Sequence, residues 1–192
     1  FGDNNNETIL LIMGANANCM QWDKEFIDKL VSKDLHVVRF DNRDVGRSSW
    51  FGKEPPFTKY LKLLPSFLLK IVVNSIFGLA VDKEGKFKFS DPTTVKYNLS
   101  DMAKDAVSLL DALNIKKAHI IGASMGGMIT QVIALDYPEK VLSITPIMTS
   151  PGIQNNSLSG PNQKLVKAMK KSFVYNLKGK FEDGVVEIYR EL

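Results

Sequence analysis

The chain has 192 residues, enough for one domain with a sizeable hydrophobic core. Its hydrophobic content of 44% and net charge of +4 are ordinary for a globular protein and give no indication of nucleic-acid binding. Zinc-finger spacing, an RNP-like motif and a Walker loop are all absent from the sequence. The one cysteine, Cys19, excludes an intrachain disulfide and fits a reducing compartment, so we expect a cytoplasmic location.

The first half of the chain opens with two predicted strands on either side of a predicted helix. Residues 8–13 form a continuous apolar run that is typical of a strand buried on both faces. Apolar residues at helical spacing predict a helix over 22–31. Residues 36–40 predict a second strand, and residues 41–49 form a polar loop.

The second half continues the alternation of strands and helices. The pattern predicts a helix over 100–113 capped by Ser100, a strand over 118–121, a helix over 127–136 and a strand over 141–148. This order is typical of an α/β fold with a mostly parallel sheet and helices on both faces. Two segments interrupt it: an insertion over 52–96, and residues 151–192, which predict helices near 163–173 and 182–192.

One motif stands at the junction of the third strand and the helix that follows it. Gly122-Ala123-Ser124-Met125-Gly126 has the Gly-x-Ser-x-Gly pattern of a nucleophile elbow, in the strand-turn-helix context that gives the pattern meaning. The glycines leave room for a sharp turn, and the turn lifts the Ser124 hydroxyl above the sheet near a helix N-terminus. The alternative is a Gly/Ser turn without chemistry, which the flanking strand and helix disfavour.

Three motifs in this order resemble the α/β-hydrolase fold, and within it the aclacinomycin methylesterase-like group of esterases. The motifs are Met-Gly after the first strand, Asp-x-Arg-x-x-Gly-x-Ser after the second, and Gly-x-Ser-x-Gly after the third. The resemblance covers most of residues 1–50 and 97–150. It implies that residues 1–150 are the N-terminal part of a hydrolase core with the insertion 52–96, and that 151–192 begin a helical cap or lid.

The resemblance also implies roles for individual residues. Ser124 would be the nucleophile, and the backbone N–H groups of Met125 and of Ala15, just after Gly14, would form the oxyanion hole. Gly122 and Gly126 would shape the elbow. Many members of the family have His-Gly where this chain has Met-Gly, but the oxyanion donor is a backbone group. A plain turn at Gly14 is the alternative.

The polar loop after the second strand contains four residues that match the family motif. They are Asp41, Arg43, Gly46 and Ser48. We expect Asp41 to be structural, in an Asx-type turn with a nearby arginine charge, rather than the acid of a catalytic triad.

The sequence lacks a histidine in the place where the fold needs a general base. The expected order is Ser, then Asp or Glu, then His, but both histidines precede Ser124. His119 lies five residues upstream, about 16 Å along its strand, and His36 begins the second strand. We therefore expect both to have local partners, and the chain to be a piece of a longer hydrolase whose triad acid and base lie beyond residue 192. A degenerate hydrolase without a triad is the alternative.

Two further segments leave their roles open. The apolar stretch 66–81 predicts a helix packed on the core, a lid over an acyl pocket, or a helix in a membrane interface. Residues 164–180 contain six lysines and no acidic residue. They predict either a cap helix with a solvated face or a basic surface for anionic lipid or a partner.

The predicted function is hydrolysis of a small-molecule or lipid carboxylic ester without a metal or organic cofactor and without a nucleic-acid partner. Acyl transfer, a cofactor-free haloperoxidase-like reaction and a non-catalytic binding protein of the same fold are the alternatives. Contact with a membrane surface is the less favoured of the predicted partners.

Overall fold

The computed structural model describes residues 1–51, 60–61, 63–80, 96–151 and 163–180, together with Asp183 and Val186. Contacts within the chain divide it into two units. The core unit comprises Phe1–Gly52 and Lys96–Asn155, and the helical unit comprises Lys53–Val95 and Asn156–Leu192. The helix predicted near 182–192 lies outside the described residues, apart from those two positions.

The described strands and helices follow the predicted order. The strands are β1 Thr8–Ile12, β2 His36–Arg39, β3 Ala118–Ala123 and β4 Val141–Ile147, and the helices are α1 Lys24–Val31, α2 Ser66–Ala80, α3 Leu99–Ala112, α4 Met125–Asp136 and α5 Gln163–Leu177. Single 3₁₀ turns occupy Cys19–Gln21 and Pro138–Lys140.

The core unit is built on a parallel sheet in which the strand order is β2-β1-β3-β4. All five residues of β1 are buried, as the apolar run predicts. Leu10 and Ile12 pack with α3 and α4 on one face, whereas Ile9 and Leu11 pack with Trp22 and α1 on the other. Helices therefore cover both faces of β1, and the predicted fold class is confirmed.

The start of α3 differs from the prediction. Asn98, not Ser100, is the N-cap: its side chain accepts hydrogen bonds from the N–H groups of Ser100 and Asp101, and the Asp101 carboxylate accepts one from the N–H of Asn98. This reciprocal pair is a capping box, which satisfies two of the free N–H groups at the helix start. Ser100 lies inside the first turn of α3. It could not form the same capping box, because the residue three positions after it is Ala103.

One strand remains largely uncovered. Five of the seven residues of β4 are exposed, including Leu142 and Ile144, and within the part of the chain that the structure describes β4 pairs only with β3. The strand is present as predicted, but its burial is that of an edge strand.

The helical unit has a small apolar core of its own. Leu69 and Val73 of α2 pack with Val174 of α5 and with Leu61, and all four side chains are buried. The predicted helix over the apolar insertion is therefore present, and α5 continues to Leu177, beyond the predicted end at Phe173. Over the described residues, neither helix nor any other is both long and apolar enough to cross a bilayer.

Candidate active site

The Gly-x-Ser-x-Gly sequence forms a strained turn between β3 and α4. Ser124 has φ 53° and ψ −120°, a conformation that residues with a Cβ rarely adopt, and the residue is exposed. Its N–H donates to the carbonyl of Ile147 in β4 (2.9 Å), and its carbonyl accepts from the N–H of Gly127 (2.9 Å). Bonds on both sides of the residue hold the strained backbone in place and leave the hydroxyl outside the core.

The two glycines of the motif are required by close approach of the backbone. A Cβ on Gly122 would lie 2.2 Å from the carbonyl oxygen of Gly126, and a Cβ on Gly126 would lie 2.2 Å from the carbonyl oxygen of Ile12. Both distances are far below van der Waals contact. Helix α4 therefore crosses β3 and β1 at a separation that only glycine permits.

The end of β1 lies next to Ser124. A Cβ on Gly14 would be 3.2 Å from the Cβ of Ser124 and 3.6 Å from its Oγ. Gly14 begins a turn in which its carbonyl accepts from the N–H of Ala17 (3.3 Å), and Ala15 within that turn is exposed. Met125 is the first residue of α4, so its N–H has no acceptor within the helix. The structure thus brings Gly14 beside Ser124 at the carboxyl end of the sheet.

Asn42 holds this segment, and the sequence analysis did not identify it. Its side chain is 2% exposed, and its Nδ2 donates to the carbonyl oxygen of Met13 (2.9 Å). The bond fixes the peptide that precedes Gly14. The sequence shows only that an asparagine directly follows Asp41 in a polar loop. No fixed number of residues separates such an asparagine from the strand end that it contacts, so the sequence pattern does not predict the bond.

Asp41 organises two loops through backbone N–H groups. Its carboxylate accepts from the N–H of Cys19 (2.7 Å) and from that of Arg47 (3.0 Å), and its backbone carbonyl accepts from the Ser48 hydroxyl (2.5 Å). A Cβ on Gly46 would lie 2.0 Å from the carboxylate. Burial by itself would raise the pKa of Asp41, but the donors from Cys19 and Arg47 outweigh it and lower the pKa. These contacts support the expectation of a structural Asp41.

Arg43 points away from Asp41 and binds α3. Its guanidinium donates two hydrogen bonds to the carboxylate of Asp105 (2.6 and 2.7 Å) and lies 4.8 Å from the ring centres of Phe51 and Tyr97. The hydrogen bonds to Asp105 raise the pKa of Arg43. Arg43 therefore joins the loop to α3, and the arginine charge that acts on Asp41 is that of Arg47, which helps to lower the pKa of Asp41.

Both histidines are at the other end of the sheet and have local partners. His36, the first residue of β2, is 3.0 Å from the Thr8 hydroxyl, and burial lowers its pKa. His119 is paired in register with Ile9 of β1, and its Nδ1 is 2.7 Å from the Ser143 hydroxyl. The prediction that both histidines have local partners is confirmed.

The chain belongs to the α/β-hydrolase fold family: the family model, described as alpha/beta hydrolase fold, matches residues 7–181. Rhodomycin D methylesterase DauP of Streptomyces sp. strain C5 is 29% identical over 148 residues, which are 77% of this chain and 37% of that protein. Rhodomycin D methylesterase DnrP of Streptomyces peucetius is 29% identical over 150 residues, with the same two shares. The chain thus spans little more than a third of the length of these relatives.

The structure is also similar to a solved structure from a study of carboxylesterases of the thaumarchaeon Nitrososphaera gargenis. The TM-score is 0.54 at 24% identity, covering 93% of this chain and 48% of that one. This likeness shows the fold and agrees with the family assignment.

Proposed function

We propose that the chain supplies the nucleophile and the oxyanion hole of a serine hydrolase that cleaves a carboxylic ester through an acyl-enzyme. The observation that carries the proposal is the exposed Ser124 at φ 53°, with Gly14 packed beside it. The names of the two methylesterase relatives support an ester as the substrate class. Small-molecule and lipid esters both remain within this class.

In the proposed reaction, the Ser124 hydroxyl attacks the acyl carbon and gives its proton to a general base. The N–H groups of Ala15 and Met125 stabilise the oxyanion that forms on the carbonyl oxygen. The base then protonates the departing alcohol, which leaves an acyl group on Ser124. Water attacks this acyl-enzyme, giving one proton to the base, and the carboxylic acid departs as the proton returns to Ser124.

We further propose that the general base and its carboxylate partner come from outside these 192 residues. The chain has two histidines. Both are bonded to neighbouring strands near the amino ends of β2 and β3, whereas Ser124 follows the carboxyl end of β3. Asp41 is engaged with the backbone of Cys19 and Arg47, which supports a structural rather than a catalytic carboxylate.

A fluorophosphonate probe tests the nucleophile, because it reacts with an activated serine and leaves a covalent adduct. In the natural full-length protein we expect rapid labelling at Ser124, its loss in Ser124→Ala, and no change in Ser108→Ala, which removes an exposed hydroxyl of α3. Full labelling of Ser124→Ala would contradict the proposal. Absence of labelling in the folded natural protein would instead support a non-catalytic binding protein.

Hydrolysis of p-nitrophenyl acetate tests the origin of the base. The 192-residue chain alone is expected to show no turnover above that of Ser124→Ala. Turnover typical of an intact esterase, lost in Ser124→Ala, would place the base within these residues and contradict that part of the proposal. Adding alcohols or thiols as acceptors to the full-length protein distinguishes hydrolysis from acyl transfer, which shares the acyl-enzyme.

A further inference from the structure

The helical unit contains a cleft between α2 and α5, lined by residues to which the proposed reaction assigns no role. Its volume is about 700 Å³, within the range of sites for small ligands. Lysines make up six of the eleven residues that line it: Lys70, Lys167, Lys170, Lys171, Lys178 and Lys180. No acidic residue is among the lining residues that the structure describes. The cleft therefore concentrates positive charge from two helices and the turn after α5 in one concave surface.

The lysines of α5 also follow one another at helical spacing. Residues 164–180 contain no acidic residue, and the residue one helical turn after Lys167 is another lysine, Lys171. A like-charge pair at this spacing destabilises a helix by about 0.2–0.5 kcal/mol. A helix face that only contacts solvent would be more stable if acidic residues stood between the lysines.

The wall of the cleft is partly apolar. Val73 and Val174 line it and are 1% and 9% exposed, and Tyr175 adds an aromatic side chain. Lys178 is held at the wall, where its Nζ donates to the carbonyl of Leu64 (2.5 Å). Low-polarity walls strengthen the field of nearby cations because they exclude water. The site thus suits a ligand that has both a multiply charged anionic group and a small apolar part.

We propose that this cleft binds a phosphate-bearing ligand, with the phosphate held by the lysines of α2 and α5. A phosphate monoester carries a charge of about −1.5 to −2 at neutral pH and three strong acceptor oxygens, whereas a carboxylate carries one charge and two oxygens. Each lysine ammonium has three donors, so several can share one phosphate. The proposal is argued from residues of the helical unit alone and does not rest on the proposed role of Ser124.

Binding of inorganic pyrophosphate to the natural full-length protein, measured by titration calorimetry, provides the first arm of the test. At an ionic strength of about 0.1 M, held with chloride, long-range attraction between exposed charges is largely screened. We expect saturable binding that weakens about tenfold in Lys70→Gln and in Lys167→Gln, since each replacement removes one charged hydrogen bond. The controls are Lys33→Gln and Lys104→Gln, which remove the same charge from exposed positions of the core unit.

Sedimentation with phosphatidylcholine vesicles, with and without phosphatidic acid, provides the second arm. Binding of pyrophosphate that depends on Lys70 and Lys167 indicates a free phosphate compound. Binding only to the phosphatidic acid vesicles, with the same dependence, indicates a lipid headgroup, and either result supports the proposal. It is overturned if neither probe binds, or if the control variants lose as much binding as the cleft variants.

Discussion

The amide of Asn42 donates to the carbonyl oxygen of Met13 across 2.9 Å, in a position that is almost completely buried. This bond connects the loop after β2 to the residue that precedes Gly14. Because Gly14 packs against Ser124, Asn42 lies one step from the candidate nucleophile without contacting it. We therefore regard Asn42 as a positioning residue for Gly14 and Ala15, where we propose the oxyanion hole.

Replacement of Asn42 is expected to affect both stability and the proposed reaction. Asn42→Ala leaves the Met13 carbonyl without its partner and should lower the free energy of unfolding by about 1–3 kcal/mol. Asn42→Asp places a carboxylate oxygen against that carbonyl and should be more harmful at neutral pH than in acid. Denaturant unfolding measures the change in stability, and the rate of fluorophosphonate labelling of the full-length protein measures the change in the proposed reaction. Asn5→Ala, at an exposed amide, is the control. Unchanged stability in both Asn42 variants would show that the bond is unimportant.

Two glycines provide a test of the close approach between α4 and β1. Gly126→Ala places a methyl group 2.2 Å from the carbonyl oxygen of Ile12 and should cost about 3 kcal/mol in the free energy of unfolding. Gly78→Ala in α2 meets nothing within 4 Å and should stabilise by about 0.5–1 kcal/mol, since alanine favours helix. Thermal and denaturant unfolding of both variants measures the difference. Equal effects in the two variants would contradict the packing described for α4.

The contribution of Asp41 to stability should depend on pH. Its pKa is lowered in the folded chain by the N–H groups of Cys19 and Arg47, which outweigh the opposing effect of burial. A lowered pKa means that the contribution is present above the unfolded value of about 3.9 and is lost as the pH falls below it. Denaturant midpoints of the wild type and of Asp41→Asn, compared from neutral pH into acid, should therefore converge below pH about 4. A constant difference across the range would show that the carboxylate charge is not involved.

Tyr97 should titrate later than an ordinary tyrosine. Burial raises its pKa to about 12, and the hydrogen bond to Asp44 and the negative charge of Asp44 add to the effect. Because the folded pKa lies above the unfolded value, the contribution to stability is complete below pH about 10 and is lost as the pH rises through 12. The ultraviolet absorbance of phenolate, followed during titration, measures it. Tyr97→Phe should remove the component that titrates at about pH 12. A component at about pH 12 that survives in Tyr97→Phe would contradict the assignment.

The sequence was sufficient for the parts of the fold that depend on local pattern. The apolar run of β1 predicted a strand buried on both faces, and Gly122, Ser124 and Gly126 predicted the turn that the structure contains. The cap of α3 was missed although Asn98 and Asp101 have the spacing of a capping box, because Ser100 is also a common cap residue.

Contacts between segments distant in the chain were less accessible. Asn42 reaches Met13 over 29 positions, and Arg43 reaches Asp105 over 62. No periodicity relates such pairs, since their meeting depends on how the loops cross the end of the sheet. The lysines of the cleft were recognised as a basic helix, but their concave arrangement depends on Lys70, which comes from another segment.

The backbone of Ser124 has a consequence for protein engineering. A serine at φ 53° costs roughly 1–3 kcal/mol, and glycine adopts this conformation without that cost. A laboratory screen for heat resistance alone should therefore enrich Ser124→Gly. The resulting protein would be more stable but would lack the hydroxyl that we propose as the nucleophile. Engineering of this fold for stability therefore also needs a selection for catalytic activity.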